Sequence, residues 1–393
     1  MSSMLHAADP DALHAAVWGS EPDWSQLAGY AHVMTADEVR TLLDTVYAPG
    51  GAADAWLTVA DDFLQVQTGR GDEAITIALA SSADDDRPAP RYWRTLEEWR
   101  QTREGARPLE GLRVVLDPGH IGGEWGRMEG REWRLGDGPL MREGDLVLLV
   151  AQEIQVELRE LGAQVTLVRA RNRPVTPYRP ADFVPLARAD LEARGQPVTP
   201  QKAARRAELF FYRYAEIRAR AELINQRIRP DLVIALHLNA AAWPDPAAPA
   251  LVEQNHAHIL LHGTYGAGEM ERSLGRFEML RKLLTDTIGQ ELAWGEGIAE
   301  SLEAETSLPT FSYSGTYATK VGSHPYLWAR NLLANRIYDC PVVYLEPFVL
   351  NSTAAYALVG EGPEEMQRSS RLVQEYAQGV VKGMLKAAQS PER

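Results

Sequence analysis

The sequence predicts an α/β fold: a mostly parallel twisted sheet with helices on both faces, preceded by a small α+β N-terminal module. Three observations lead there. From Gly111 onward, short apolar runs such as 112–116 (LRVVL), 232–238 (LVIALHL) and 342–345 (VVYL) alternate with longer segments of helical periodicity. Those runs are apolar along most of their length rather than at every second position, as strands buried on both faces are. Each of them also runs into ionisable residues, and open α/β sheets bind ligands at the carboxyl ends of their strands.

Within 1–110, Thr35 and Glu38 form a capping box that starts a helix through about residue 47. Two strand-like runs, 56–68 and 74–80, follow, separated by a turn signal at 69–71. Residues 81–90 are acidic and carry prolines, and they read as a linker. Residues 93–103 read as a short helix leading into the second unit, 111–393. There, 143–161 is helical, with Leu146, Val150, Ile154, Leu158 and Leu161 along one face and Gly162 closing it. A strand at 164–168, a Pro-rich insert at 173–200 and a helix at 209–229 stopped by Pro230 come next. Residues 258–262 could be another strand. Residues 277–292 read as a helix, within a 266–308 insertion whose stretch 274–288 is a candidate amphipathic segment, and 370–388 as a terminal helix.

The 393-residue chain has a net charge of −14 and a pI near 5.2, which leaves no basic excess for nucleic acid or an anionic membrane. Its single cysteine, Cys340, excludes an intrachain disulfide and a Cys-rich zinc site, so a metal would need His and carboxylate ligands. No run reaches the roughly 18 apolar residues of a membrane span. The opening MSSMLHAADP lacks the charged and apolar regions of an intact signal peptide.

Three strand ends carry the chemistry. Strand 112–116 leads into Asp117-Pro118-Gly119-His120, strand 232–238 carries His237 with Asn239 beyond it, and strand 342–345 leads into Glu346. Glu143 begins the helix after the first strand and can return to the same rim. Two imidazoles and a carboxylate suit Zn²⁺ with an open fourth position, and a further carboxylate can act as general base.

At these residues the chain resembles the zinc-dependent N-acetylmuramoyl-L-alanine amidase family. The family's D-P-G-H-G-G is matched by Asp117-Pro118-Gly119-His120-Ile121-Gly122-Gly123. Its helix-heading Glu is matched by Glu143, and its "GA-V-LTR" by Gly162 to Arg169. An Arg and an Asn before S-I-H-x-N-A correspond to Arg220, Asn225 and 235–240. Its R-N-L and E-x-F-x-x-N correspond to 330–332 and 346–351. The resemblance covers roughly 111–388. It implies Zn²⁺ held by His120, Glu143 and His237, with Glu346 as the catalytic carboxylate. It also implies a peptidoglycan or muropeptide substrate in the periplasm or cell envelope, and allows for an activator protein.

Departures accompany the match. His120 and Glu143 are further apart than in the family, so Glu124, Glu129 and Glu132 in the intervening loop are rival ligands. Asp117 is expected to orient His120. Tyr317, His324 and Tyr326 are candidates to line the groove, Asn239 and Asn351 to bond turns, and His256 and His258 to share a strand face. The rival activities are a zinc exopeptidase or N-acylamino-acid hydrolase, with Arg330 available to clamp a substrate carboxylate, and a non-catalytic peptidoglycan-binding module.

Overall fold

The three apolar runs lie side by side in the middle of a seven-stranded sheet. The computed structural model describes residues 9–69, 71, 73–83, 87–245, 247–360 and 370–390. Its strands are β1 (Leu57–Val59), β2 (Phe63–Gln67), β3 (Ala74–Ala78), β4 (Arg113–Pro118), β5 (Glu132–Trp133), β6 (Met141–Arg142), β7 (Gln164–Leu167), β8 (Leu232–Leu236), β9 (Ala257–Leu261), β10 (Thr319–Lys320), β11 (Leu327–Ala329) and β12 (Val342–Pro347). The main sheet has the order β10-β11-β9-β12-β8-β4-β7. Strands β7, β4, β8 and β12 run parallel, β9 is antiparallel to β12, β11 is parallel to β9, and β10 turns back along β11.

Alternation along these strands explains why they are apolar throughout. Val114, Leu116, Leu232, Ile234, Val343 and Leu345 face one side, where they meet the helices Glu143–Glu160, Thr287–Thr306 and Arg371–Gln389. Val115, Val233, Ala235 and Val342 face the other and pack on Ala221, Ile224, Ile337 and Tyr338. Continuing the second face past the strand ends places Asp117, His237 and Glu346 on one side of one rim.

Several elements differ from the sequence reading. The helix expected at 209–229 begins at Pro200, capped by the Thr199 hydroxyl, and continues to residue 228 through two π-helical stretches, Phe210–Ala215 and Leu223–Ile228. Its first turns, PQKAARRAEL, are too polar to signal a buried face. The helix expected at 277–292 is two helices, Ser273–Leu284 and Thr287–Thr306. They are broken where Asp286 turns left-handed (φ 47°) and caps the second helix by accepting from Gly289 N. The run 56–68 is a hairpin, β1 and β2, that reverses between Val59 and Phe63. The expected turn at 69–71 and linker at 81–90 fall partly outside the described residues. No helix among the described residues is long and apolar enough to cross a membrane.

The N-terminal elements share a continuous core with the main sheet, since Val39, Tyr47, Leu64 and Trp99 belong to the same apolar cluster as Leu116 and Ile234. A polar tie runs beside it. Asp231 is buried, and its carboxylate accepts from Arg113 on β4 and from both the backbone and the guanidinium of Arg94. Both guanidiniums are part-exposed, so losing this carboxylate costs hydrogen bonds rather than stranding a buried charge. Asp231→Ala should therefore destabilise the fold by about 1–3 kcal/mol, read as a lowered urea midpoint with an unchanged slope.

Candidate active site

Chain direction and two buried arginines build the rim. After β4, Gly119 N donates to Leu236 O, and His120 takes a left-handed backbone (φ 56°) that few non-glycine residues adopt. Arg220 holds that turn: Nη2 donates to His120 O and Nη1 to Pro118 O, each at 2.8 Å. Arg169 donates to Pro118 O, Gly119 O and Gly144 O, so the loop and the start of the Glu143–Glu160 helix hang on one guanidinium. Gly119 has to be glycine here, because a Cβ would overlap the His237 ring.

Asp117 does not orient His120 as expected. Its Oδ1 accepts from Arg220 Nη1 at 2.8 Å and its Oδ2 from the Tyr338 hydroxyl at 2.6 Å. The carboxylate beside His120 Nδ1 is Glu129, at 3.5 Å, which also accepts from Ile121 N and Gly122 N. Of the other rival ligands, Glu132 pairs with Arg142 and Glu124 is exposed.

Glu143 draws the two histidines together. Its Oε2 lies 3.2 Å from His120 Nε2, and its Oε1 lies 3.2 Å from His237 Nδ1 while accepting from Leu238 N. One donor atom from each of His120, Glu143 and His237 falls within 4.8 Å of the others, the spacing that a single cation requires. The set is also of the right chemistry: two imidazoles facing one buried carboxylate, with the His237 ring stacked 4.3 Å from that of Tyr344. The residues present therefore fit a divalent metal. Burial works against the charged form of His120, but Glu143 and Glu129 outweigh it and push the imidazole up to about 9. For Glu143, burial is likewise outweighed by the two histidines, which hold the carboxyl well below the usual range. Burial lowers His237, which stays neutral near pH 7.

Glu346 ends β12 on the same side. Its Oε2 is sequestered from solvent and has no hydrogen-bond partner. Burial, then the Glu143 charge, push its carboxyl up to about 8, with Arg131, His120 and Arg330 opposing. A cleft of about 550 Å³ opens over all four residues and is also lined by Arg131, Tyr212, Arg213, Asn239 and Arg330.

The remaining predicted residues divide. His256 and His258 do share a strand face, with ring centroids 6.0 Å apart. Asn351 braces Ala241, and Asn239 caps Ala240 N and meets His256. His324 faces Glu303, and the buried Tyr326 hydroxyl bonds Leu308 O, so neither lines the cleft. Tyr317 is half exposed beside Arg330. The 266–308 insertion contributes nothing to the cleft: Thr287–Thr306 packs against β9, β11 and β12 as a sheet-covering helix. Ile121, inserted or substituted within the family motif, is fully buried against Leu13, Phe183 and Phe211, and so anchors the N-terminal helix and the 173–200 insert to the loop. Glu129 and Arg131 lie in the long loop between the motifs of His120 and Glu143, where no short motif marks their roles.

Residues 114–254, the stretch holding His120, Glu143 and His237, match the family model described as N-acetylmuramoyl-L-alanine amidase. That stretch of the chain belongs to this family. Solved structures similar to this amidase chain include the N-acetylmuramyl-L-alanine amidase Ami1 of Mycobacterium abscessus (18% identity, 71% of this chain and 99% of that one, TM-score 0.38). Ami1 of Mycobacterium smegmatis (16%, 71% and 98%, 0.39) and the CwlD amidase of Clostridioides difficile in complex with the GerS lipoprotein (15%, 70% and 96%, 0.38) are also similar. No curated protein matches the chain. Glu346 and Arg330 lie beyond the residues that match the amidase model, and the geometry brings both onto the cleft.

Two outcomes are expected of this amidase. A divalent cation held by His120, Glu143 and His237 would have to displace the His120 proton, because ligation needs a neutral imidazole and the neighbouring carboxylates push His120 up to about 9. Zinc affinity, measured by chelator competition between pH 6 and 8, should rise about tenfold per pH unit, and a flat profile would remove His120 from the ligand set. Gly119→Ala should displace the His237 ring and weaken zinc binding roughly 10–100-fold, with a near-native circular dichroism spectrum.

Proposed function

We propose that this amidase cuts the amide between N-acetylmuramic acid and the L-alanine of its stem peptide, with His120, Glu143 and His237 holding zinc and Glu346 moving the proton. The observation that carries the reading is the sequestered, unpartnered Oε2 of Glu346 on the same cleft as the His-Glu-His cluster. A bound zinc ion supplies Lewis acidity, which acidifies water and polarises the scissile carbonyl.

The protein side of the chemistry follows from placement. Glu346 is a buried carboxyl whose affinity for protons is raised by burial and by Glu143. A cation held by His120, Glu143 and His237 would oppose that rise, leaving Glu346 able both to accept a proton from attacking water and to return it. The same oxygen then delivers the proton to the departing alanine amine, since an amine leaves far more readily when protonated. Glu129, against His120 Nδ1, fixes the ring so that Nε2 faces Glu143. The Tyr344 ring does the corresponding work for His237 from below. Arg220 and Arg169 hold the backbone on which these side chains stand. Because peptidoglycan lies outside the cytoplasmic membrane, the reading places the enzyme in the periplasm or cell envelope.

The test is digestion of purified peptidoglycan by the zinc-loaded protein, with products identified by mass spectrometry. Stem peptides beginning with L-alanine and peptide-free glycan are expected, and both should vanish on chelation. Products cut at a peptide bond instead would favour the exopeptidase reading. Glu346→Ala should reduce kcat by roughly 10²–10⁴-fold with stoichiometric zinc retained. Undiminished turnover in that variant would take the proton-transfer role away from Glu346.

A further inference from the structure

The cleft does not end at Glu346. β4 leads to His120, β8 to His237 and β12 to Glu346 at one rim; next to β12, β9 bears His258, and β11, antiparallel to β12, leads to Arg330, which lines the same cleft. Glu346 stands directly opposite His258 in the antiparallel β9–β12 pair, so the two side chains share a face. His258 is 4% exposed, and its Nδ1 is sequestered without a partner, as are Glu346 Oε2 and Trp328 Nε1. Three buried polar atoms without partners in one neighbourhood are uncommon in a folded protein unless something else completes them.

Above them the segment after Thr310 lays an aromatic shelf. The Phe311 ring lies 5.0 Å from His258, and Tyr313 lies 5.5 Å from His258 and 5.2 Å from Trp328. The Arg330 guanidinium is spread over this shelf, 5.6 Å from the Tyr313 ring and 5.3 Å from that of Tyr317, and it lines the same cleft as Glu346. Among the described residues no carboxylate stands within ion-pair distance of it, whereas its neighbour Arg336 is tied to Glu278 at 2.6 Å. A planar guanidinium held on aromatic faces, part-buried and without a counter-ion, is a receptor for a carboxylate.

We propose that Arg330, seated on Tyr313 and Tyr317, is a specificity-determining residue that binds a carboxylate of the stem peptide on the leaving-amine side of the scissile bond. The inference rests on the amidase reading above and extends it. The side follows from the sheet. Glu346 hands its proton to the departing amine, and β9 and β11 lie beyond Glu346 on the side away from His237 and His120. The chain attached to that amine is the stem peptide. In peptidoglycan the residue after L-alanine is joined through its side-chain carboxyl, so its α-carboxyl is left either free or amidated. Arg330 reads that difference and favours the free acid.

The experiment compares two substrates with the zinc-loaded full chain: N-acetylmuramoyl-L-Ala-γ-D-Glu-L-Lys amide, and the same compound with the D-Glu α-carboxyl amidated. Wild type should cleave the free acid with a kcat/KM about tenfold higher or more, the scale of one charge-assisted hydrogen-bonded pair, expressed mainly in KM. Arg330→Ala should bring the ratio between the two substrates close to one, and Arg330→Lys should restore part of it. A wild type indifferent to amidation overturns the proposal, as does an Arg330→Ala variant that slows both substrates equally and leaves their ratio intact. Cleavage of neither by wild type sinks the amidase reading, and this inference with it. Cleavage of both with no discrimination sinks the inference alone.

Discussion

The site depends on a buried guanidinium. Arg220 lies in the helix that covers one face of the sheet, and it is bonded at once to Asp117, Glu216, Pro118 O and His120 O. Burial works against its charge, but the two carboxylates outweigh that and keep it charged. A buried cation so thoroughly satisfied is costly to disturb. Its position therefore dictates where β4 ends and how the next residue turns. The left-handed backbone of His120 is maintained by those bonds and by Gly119, which leaves room for His237. Without this anchor the histidines would not converge on Glu143.

Around that anchor the site separates attraction from repulsion. Glu143 is surrounded by imidazoles and a backbone donor and remains an anion, which is what a metal ligand needs to be. Glu346 has an unpartnered oxygen, faces the Glu143 charge, and takes up a proton far more readily. Two carboxyl groups on one cleft thus have opposite tendencies set by their surroundings, the arrangement expected where one binds and the other transfers protons. The N-terminal helix and the insert at 173–200 serve the same end from outside, since both pack on Ile121 in the loop that carries His120.

Much of this was legible in the chain. The mostly parallel sheet followed from runs apolar along most of their length, and His120, His237 and Glu346 stood out because each lies at or just past the end of such a run. Glu143 stood out because it begins an amphipathic helix. What could not be read was anything set by cross-sheet neighbours. Asp117 looked like a partner for His120 and is instead a partner for Arg220 and Tyr338, more than a hundred residues away. Glu129 looked like a rival ligand and instead lies on the far nitrogen of His120. The helix break at Asp286 and the early start at Pro200 escaped notice because capping and polar solvent-facing turns carry little periodic signal.

The sequence by itself determined the order of the strands' chemistry, the residue types at the rim and the absence of any cysteine-based alternative, because periodicity and strand-end position are local properties. The tertiary structure decided that β9 runs antiparallel beside β12, which sets His258 opposite Glu346 and brings the aromatic shelf and Arg330 onto the cleft. No local pattern encodes that pairing. It arises because β12 has one edge taken by β8 and offers the other, which the apolar strand β9 fills.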